Sequence, residues 1–300
     1  MSLRHLLALG AFCALAAFRA DNPRDPGRVE HLPDFPSKFV KPRHVDVWLP
    51  AGYPQPGRRY AVLYLHDGQN LFHPASSYGG VAWEVDSTLA ALGAAGQVRP
   101  GVIVVGIWNT ERRFAEYTPV APYRLLSPAR RARLAQERPG EPQSDEYLRF
   151  IVQELKPYVD GHYQTDRRRQ STFIGGSSMG GLISLYAAVE YPRVFGGAAC
   201  VSTHWPLSLQ DNTPDFTSAY LRYLAAKLPA RGRRPRLYFD YGTATLDARY
   251  EVHQRRIDSL LRAKGYTERN WLTRKYEGAA HNEAAWKKRF EVPARFLLGR

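Results

Sequence analysis

Apolar residues fall along the chain in short runs separated by longer mixed segments. Positions 45–49 alternate apolar and polar residues, the signature of a half-buried strand, and the turn-rich stretch 50–59 follows. Positions 60–65 and 102–107 are almost uniformly apolar, and shorter runs recur at 172–174, 197–201, 237–241 and 271–276. The gaps between them are long enough to hold crossover helices, and strands buried on both faces and joined by helices make a parallel sheet. Positions 85–92, 144–158, 179–190, 217–228 and 249–264 carry apolar residues at three- and four-residue spacing and predict helices. Ser144 and Asp145 are candidate N-caps for the second of these. Two longer insertions, 111–143 and 203–217, follow predicted strands at their C-terminal ends, where open α/β sheets bind ligands. Substrate specificity is expected there.

The chain has 300 residues, 44% of them hydrophobic, and no internal repeat, which favours one catalytic domain over 21–300. Its first twenty residues read as an export signal: Arg4 and His5 precede an apolar run from Leu6 to Phe18 with small residues near its end. Without that segment Cys200 is the one remaining cysteine, so no intramolecular disulfide is expected, and its apolar setting predicts a buried thiol. A periplasmic or extracellular product is expected, without stable membrane insertion. The formal charge is +14, but the basic residues fall in separate runs (Arg130, Arg131 and Arg133; Arg167 to Arg169; Arg231, Arg233, Arg234 and Arg236) with no nucleic-acid-binding signature. They read as solvated faces rather than a nucleic-acid site.

Candidate chemistry centres on Phe173-Ile174-Gly175-Gly176-Ser177-Ser178-Met179-Gly180-Gly181, an apolar strand entering Gly-x-Ser-x-Gly and then a helical pattern. A serine on such a tight turn exposes its hydroxyl, and glycines two positions either side let the backbone pass. Ser178 is therefore the candidate nucleophile. A hydroxyl needs a base at neutral pH. His281 lies in a small-residue turn after the last predicted strand and before the terminal helix, the place that the chain order Ser, acid, His requires. His31, His44, His162 and His253 sit in polar surroundings and read as surface. His66 and His204, each at a strand end, are alternatives to His281, and each could line the pocket without being the base. The acid that orients the imidazole should follow the preceding strand; Asp247 is favoured over Asp240, which still lies within it.

The oxyanion needs two donors, expected from the amides of Met179 and Gln69, with Gly68 letting the loop turn. His66 beside Asp67 has no third ligand spaced nearby, so no catalytic metal is expected, and no cofactor. His66, Asp67, Gly68, His204 and Trp205 are the pocket positions expected from the strand ends.

The stretches YLHDGQNLF (64–72), VGIWNTERRFAEYTP (105–119), GGSSMGG (175–181), YGTATLD (241–247) and GAAHNEAAW (278–286) together resemble the putative esterase family of α/β hydrolases, which includes esterase D-like and enterochelin esterase-like proteins. The resemblance implies an α/β-hydrolase fold, a mostly parallel central sheet with helices on both faces, and carboxylic ester hydrolysis through an acyl-enzyme. Relatives act on siderophore esters or on feruloyl and acetyl groups of polysaccharides, and some transfer acyl groups. It also implies that Asn109, Arg113 and Glu116 belong to the pocket wall. In many relatives the acid follows the glycine by about three residues, which here is Thr245. Two other readings stay open at this stage, an acyltransferase on the same triad and a catalytically inactive binding protein. The physiological ester and the oligomeric state are not legible.

Overall fold

A computed structural model describes residues 26–299 apart from positions 100, 139, 230, 231 and 233. The expected export signal lies outside the described residues. The strands are β1 (Arg28–Phe35), β2 (Arg43–Leu49), β3 (Ala61–His66), β4 (Val102–Ile107), β5 (Thr172–Ser177), β6 (Gly197–Val201), β7 (Arg236–Gly242) and β8 (Trp271–Tyr276). They form one eight-stranded sheet in the order β1-β2-β4-β3-β5-β6-β7-β8. Pairing is antiparallel from β1 to β2 and from β2 to β4, and parallel everywhere else.

The helices are α1 (Val85–Ala94), α2 (Arg113–Tyr117), α3 (Val120–Arg124), α4 (Pro128–Glu137), α5 (Ser144–Arg149), α6 (Lys156–His162), α7 (Met179–Glu190), α8 (Asp215–Lys227), α9 (Glu251–Ala263), α10 (Glu283–Arg289) and α11 (Glu291–Leu298). Alternate residues of each central strand serve opposite layers, as the period of two requires. Val62, Tyr64, Ile103, Val105 and Ile174 enter the larger core, with Tyr147, Leu182, Leu185 and Tyr220. Leu63, Leu65, Val102, Val104 and Phe173 enter the second, with Leu89, Trp286, Phe290 and Leu297. Helices therefore cover both faces, as expected. Cys200 is buried in the larger core.

Four departures have local causes. The sequence pattern does not predict β1; at the sheet edge all of it but Phe35 is exposed or only partly buried, so its apolar periodicity is weak. The helix expected over 144–158 instead runs as α5, a π-helical turn at Phe150–Leu155, and α6. Pro157 has no N–H for the regular ladder, and a wider turn just before it accommodates the loss. Ser144 is not the cap of α5; its hydroxyl accepts the Val120 amide at 2.9 Å. His253, expected at the surface, is 1% exposed, with Nδ1 2.8 Å from the Thr217 hydroxyl and Nε2 3.0 Å from Asn212 Oδ1.

The two insertions lie over the same end of the sheet and are fastened to each other. Arg130 of α4 is buried rather than solvated, and it donates two bonds to Asp211 at 2.7 and 2.8 Å. The Ser208 hydroxyl donates to Glu137 at 2.7 Å.

Candidate active site

Ser178 sits between the end of β5 and the first residue of α7 with φ 59° and ψ −119°, a conformation that L-residues seldom hold without surrounding support. Its amide donates to Val201 O at 2.9 Å, while its carbonyl accepts the Gly181 amide at 3.0 Å and the His204 amide at 3.2 Å. At Gly176 a Cβ would lie 3.1 Å from the His66 Cβ and 3.2 Å from Gly180 backbone, so any larger residue would have to push these neighbours back by a few tenths of an ångström. At Gly180 the nearest atom would be 3.5 Å away, an ordinary contact, so the second glycine of the motif is not required in the way the sequence suggests. The first amides of α7, Met179 among them, have no partner within the helix and point out of its N-terminus.

His281 lies on the loop between β8 and α10, and that loop is laced to the one after β7. The amides of Thr243 and Ala244 donate to Ala279 O at 3.1 and 3.0 Å, and the Gly278 amide donates to Thr243 Oγ1 at 2.7 Å. The His281 amide donates to Thr245 Oγ1 at 2.8 Å. Thr245 thus carries the loop, and Asp247 reaches the ring: His281 Nδ1 is 2.5 Å from Asp247 Oδ1. Asp247 is fully buried, and its other oxygen accepts the Gly242 amide at 2.6 Å and the Ser202 hydroxyl at 2.5 Å. Burial alone would raise this carboxyl, but the bonds from His281, Ser202 and Gly242 outweigh it and hold Asp247 below the usual carboxylate range. Asp240, the other candidate, faces elsewhere: it accepts the Ser202 amide and the Tyr238 hydroxyl and pairs with the buried Arg289 at 2.9 Å. Arg289 also donates to the Ser202 hydroxyl at 2.6 Å, beside a bond from Trp286 Nε1 at 2.9 Å.

Ser178, Met179 and His281 line one cavity of about 460 Å³ with Arg113, Phe114, Arg138, His204, Leu209 and Leu246. Both insertions contribute to the wall, as expected. His204 is buried and pushed down to about 3, by burial first and then by the nearby His281 and arginine charges, so it is a neutral ring. Its Nδ1 lies 2.7 Å from the Tyr250 hydroxyl. Burial raises that phenol well above its usual value, against a smaller opposite pull from the Ser178 side chain next to it.

Other expected pocket residues take supporting positions. Asp67 lies behind Arg113 and accepts two bonds from it at 2.7 Å each, and Asn109 donates to the same carboxylate at 2.6 Å. Burial would raise Asp67; Arg113 and Asn109 more than reverse that. His66 is buried against the Tyr147 hydroxyl at 2.8 Å and pushed down to about 3 by burial. Glu116 is fully buried and takes two bonds from Arg43, at 2.8 and 2.7 Å, so it does not line the wall. Trp205 is likewise core, its Nε1 donating to Gln254 at 3.0 Å.

Gly68 lines a different cavity, shared with His31 and Trp108. The left-handed residue of its turn is Asp67, at φ 57°, while Gly68 is needed because a Cβ would lie 2.5 Å from the Gly106 carbonyl carbon. Gln69 anchors this loop: its side chain accepts the Asn109 amide at 3.2 Å and its carbonyl the Ser76 hydroxyl at 2.7 Å. Tyr250, Ser202, Arg289, Phe114 and Arg138 are absent from the sequence-based set. Phe114 lies within the 105–119 stretch without being singled out there, the other four belong to no short motif, and only the terminal-helix setting of Arg289 among Trp286 and Phe290 hints at burial.

Comparison with known proteins agrees with this architecture. Residues 37–297 match the family described as Putative esterase. The uncharacterized protein YbbA of Bacillus subtilis is 23% identical over 275 residues, covering 86% of this chain and 93% of its own. The ferri-bacillibactin esterase BesA of the same organism is 29% identical over 170 residues, 54% of this chain and 54% of its own. Among solved structures, a ferulic acid esterase superimposes with a TM-score of 0.65 at 18% identity, over 90% of this chain and 97% of that one. The enterobactin esterase FES from Shigella flexneri does so with a TM-score of 0.64 at 20% identity, over 92% of this chain and 60% of that one. With the match running through nearly every described element, this chain belongs to the Putative esterase family and has its α/β-hydrolase fold.

Proposed function

We propose that the chain is an exported serine esterase in which Ser178 attacks an ester carbonyl, His281 accepts its proton and Asp247 holds the imidazole. The observation that carries this reading is a single cavity containing both the strained Ser178 and the ring of His281, whose far nitrogen rests on a buried carboxylate. With Nδ1 committed to Asp247, the imidazole keeps Nε2 for the serine proton and later gives that proton to the leaving alcohol. The oxyanion that develops on the carbonyl is assigned to the Met179 amide at the helix start and the Gln69 amide. Water then hydrolyses the acyl-enzyme. None of these steps needs a cofactor.

The cavity also suggests a substrate class. Phe114 with Arg138 stacked on it at 4.8 Å, and Arg113 on the same wall, suit an aromatic acid or a polar ester bearing negative charge, in keeping with relatives named for ferulic acid and siderophore esters. Carbohydrate and siderophore esters are the classes to screen. Replacing Ser178 by Ala should lower turnover of an activated aryl ester by roughly 10³-fold or more and abolish labelling by a serine-reactive phosphonate. Unchanged hydrolysis and labelling in that variant would end the proposal.

A further inference from the structure

A second group of side chains lies outside the cavity of Ser178, at the end of the sheet that carries β1. His31 of β1 pairs in register with Asp46 of β2, and His44 precedes Asp46 by two positions, so all three side chains share one sheet face. Their ligand-capable atoms all lie within 4.8 Å of one another. Asp46 Oδ1 is 2.6 Å from His31 Nδ1 and 3.0 Å from His44 Nε2. The second oxygen of Asp46 is taken by the Trp108 indole N–H at 2.7 Å, which fixes the carboxylate and turns Oδ1 toward both rings. An outer-sphere hydrogen bond of this kind is what orients a ligating carboxylate.

We propose that His31, His44 and Asp46 bind one divalent transition-metal ion of the zinc type. Two imidazoles and a carboxylate suit zinc, cobalt or copper, whereas magnesium and calcium prefer shells of oxygen. Bonds of about 2.0–2.1 Å to a tetrahedral zinc put neighbouring ligand atoms roughly 3.3 Å apart, so each ring nitrogen must draw back from Asp46 by some tenths of an ångström while the two rings, up to 4.8 Å apart, swing toward each other by about 1.5 Å. His31 can do so, since its side chain is 63% exposed, while Asp46 at 5% gives the site a fixed floor. The fourth position faces a cavity of about 630 Å³ whose wall also holds His73 and Asp86. Such an ion would clip the edge strand β1 to the body of the sheet, and it takes no part in the ester chemistry.

The test uses full-length protein stripped with a chelator. Titration with cobalt(II), followed by the visible absorption of a four-coordinate site, and with zinc against a chromophoric chelator should each saturate at a single equivalent. His31→Ala and His44→Ala should each weaken binding by at least about tenfold, and the exposed His162→Ala should leave it unchanged. Zinc should raise the melting temperature of the wild type but not of His31→Ala, whose exposed side chain can be removed without unfolding the chain, as circular dichroism would verify. Absence of saturable binding, or equal binding by the wild type and both variants, would show that these side chains form a hydrogen-bonded cluster and nothing more.

Discussion

Replacing Asp247 by Asn tests the proposed chemistry more sharply than removing the serine, because the structure dictates which way the new amide must face. One carboxylate oxygen is met by the Gly242 N–H at 2.6 Å and the Ser202 hydroxyl at 2.5 Å. The backbone donor cannot reverse its role, so the oxygen of the introduced amide takes that side and its NH₂ faces His281 Nδ1. A ring nitrogen that faces a donor must accept, which moves the ring proton to Nε2 and leaves the imidazole unable to take a proton from Ser178. The wrong tautomer in a serine triad lowers turnover by about 10⁴-fold, or roughly 5 kcal/mol of barrier. Because shape and burial are conserved, the fold should survive. Turnover of a 4-nitrophenyl ester should be measured beside thermal melting, with Asp240→Asn as the comparison. Asp240 engages Arg289, Tyr238 and the Ser202 amide rather than the ring, so its change should act mainly on stability. A kcat for Asp247→Asn within about tenfold of the wild type would refute the assigned role.

Arg43→Met strands a fully buried Glu116 and should cost about 3–5 kcal/mol in urea unfolding; the double change with Glu116→Leu should cost less than Arg43→Met alone, and additive losses would contradict the pairing. Acid should destabilise the chain through buried neutral histidines. His66 and His204 are held at about 3 and His253 at about 4, below the ordinary 6.5, so the unfolded chain binds protons first as pH falls. Their contribution is complete above pH 6.5 and is lost progressively as pH falls toward those folded values, by about 2 kcal/mol for each ring by pH 5. His253→Gln should therefore narrow the stability gap between pH 8 and pH 5, and an unchanged gap would contradict this. Gly68→Ala forces a methyl to 2.5 Å from Gly106 backbone and should cost about 1–3 kcal/mol, read as a lower melting temperature.

The central strands and most of the long helices were legible because runs buried on both faces and three-to-four spacing leave strong periodic signals; 102–107, 197–201 and 271–276 coincide with β4, β6 and β8. Ser178 was legible for a different reason, since its turn needs a rare backbone conformation that restricts which neighbours can be used. The His281–Asp247 contact was foreseeable only as one of two options, because choosing between Asp247 and Asp240 depends on how two loops lace together across the sheet edge. Pocket positions were the weak point. Sequence adjacency to a strand end suggested His66 and Trp205, and family resemblance suggested Glu116, yet each turns inward to a partner contributed from far along the chain. The wall residues Phe114, Arg138 and Leu209 come from insertions whose path is set by tertiary contacts rather than local pattern. Arg130 shows the same failing in reverse, a cation within a basic run that is buried by an aspartate 81 positions away.

The joint between α4 and the 203–217 segment bears on how such a protein could be given a new substrate. Arg130 and Glu137 on one side, Asp211 and Ser208 on the other, make the two halves of the wall a matched pair. Transplanting one half from a relative would leave a guanidinium or a carboxylate enclosed without its counterpart. Successful exchanges should therefore be those that move both halves in the same step.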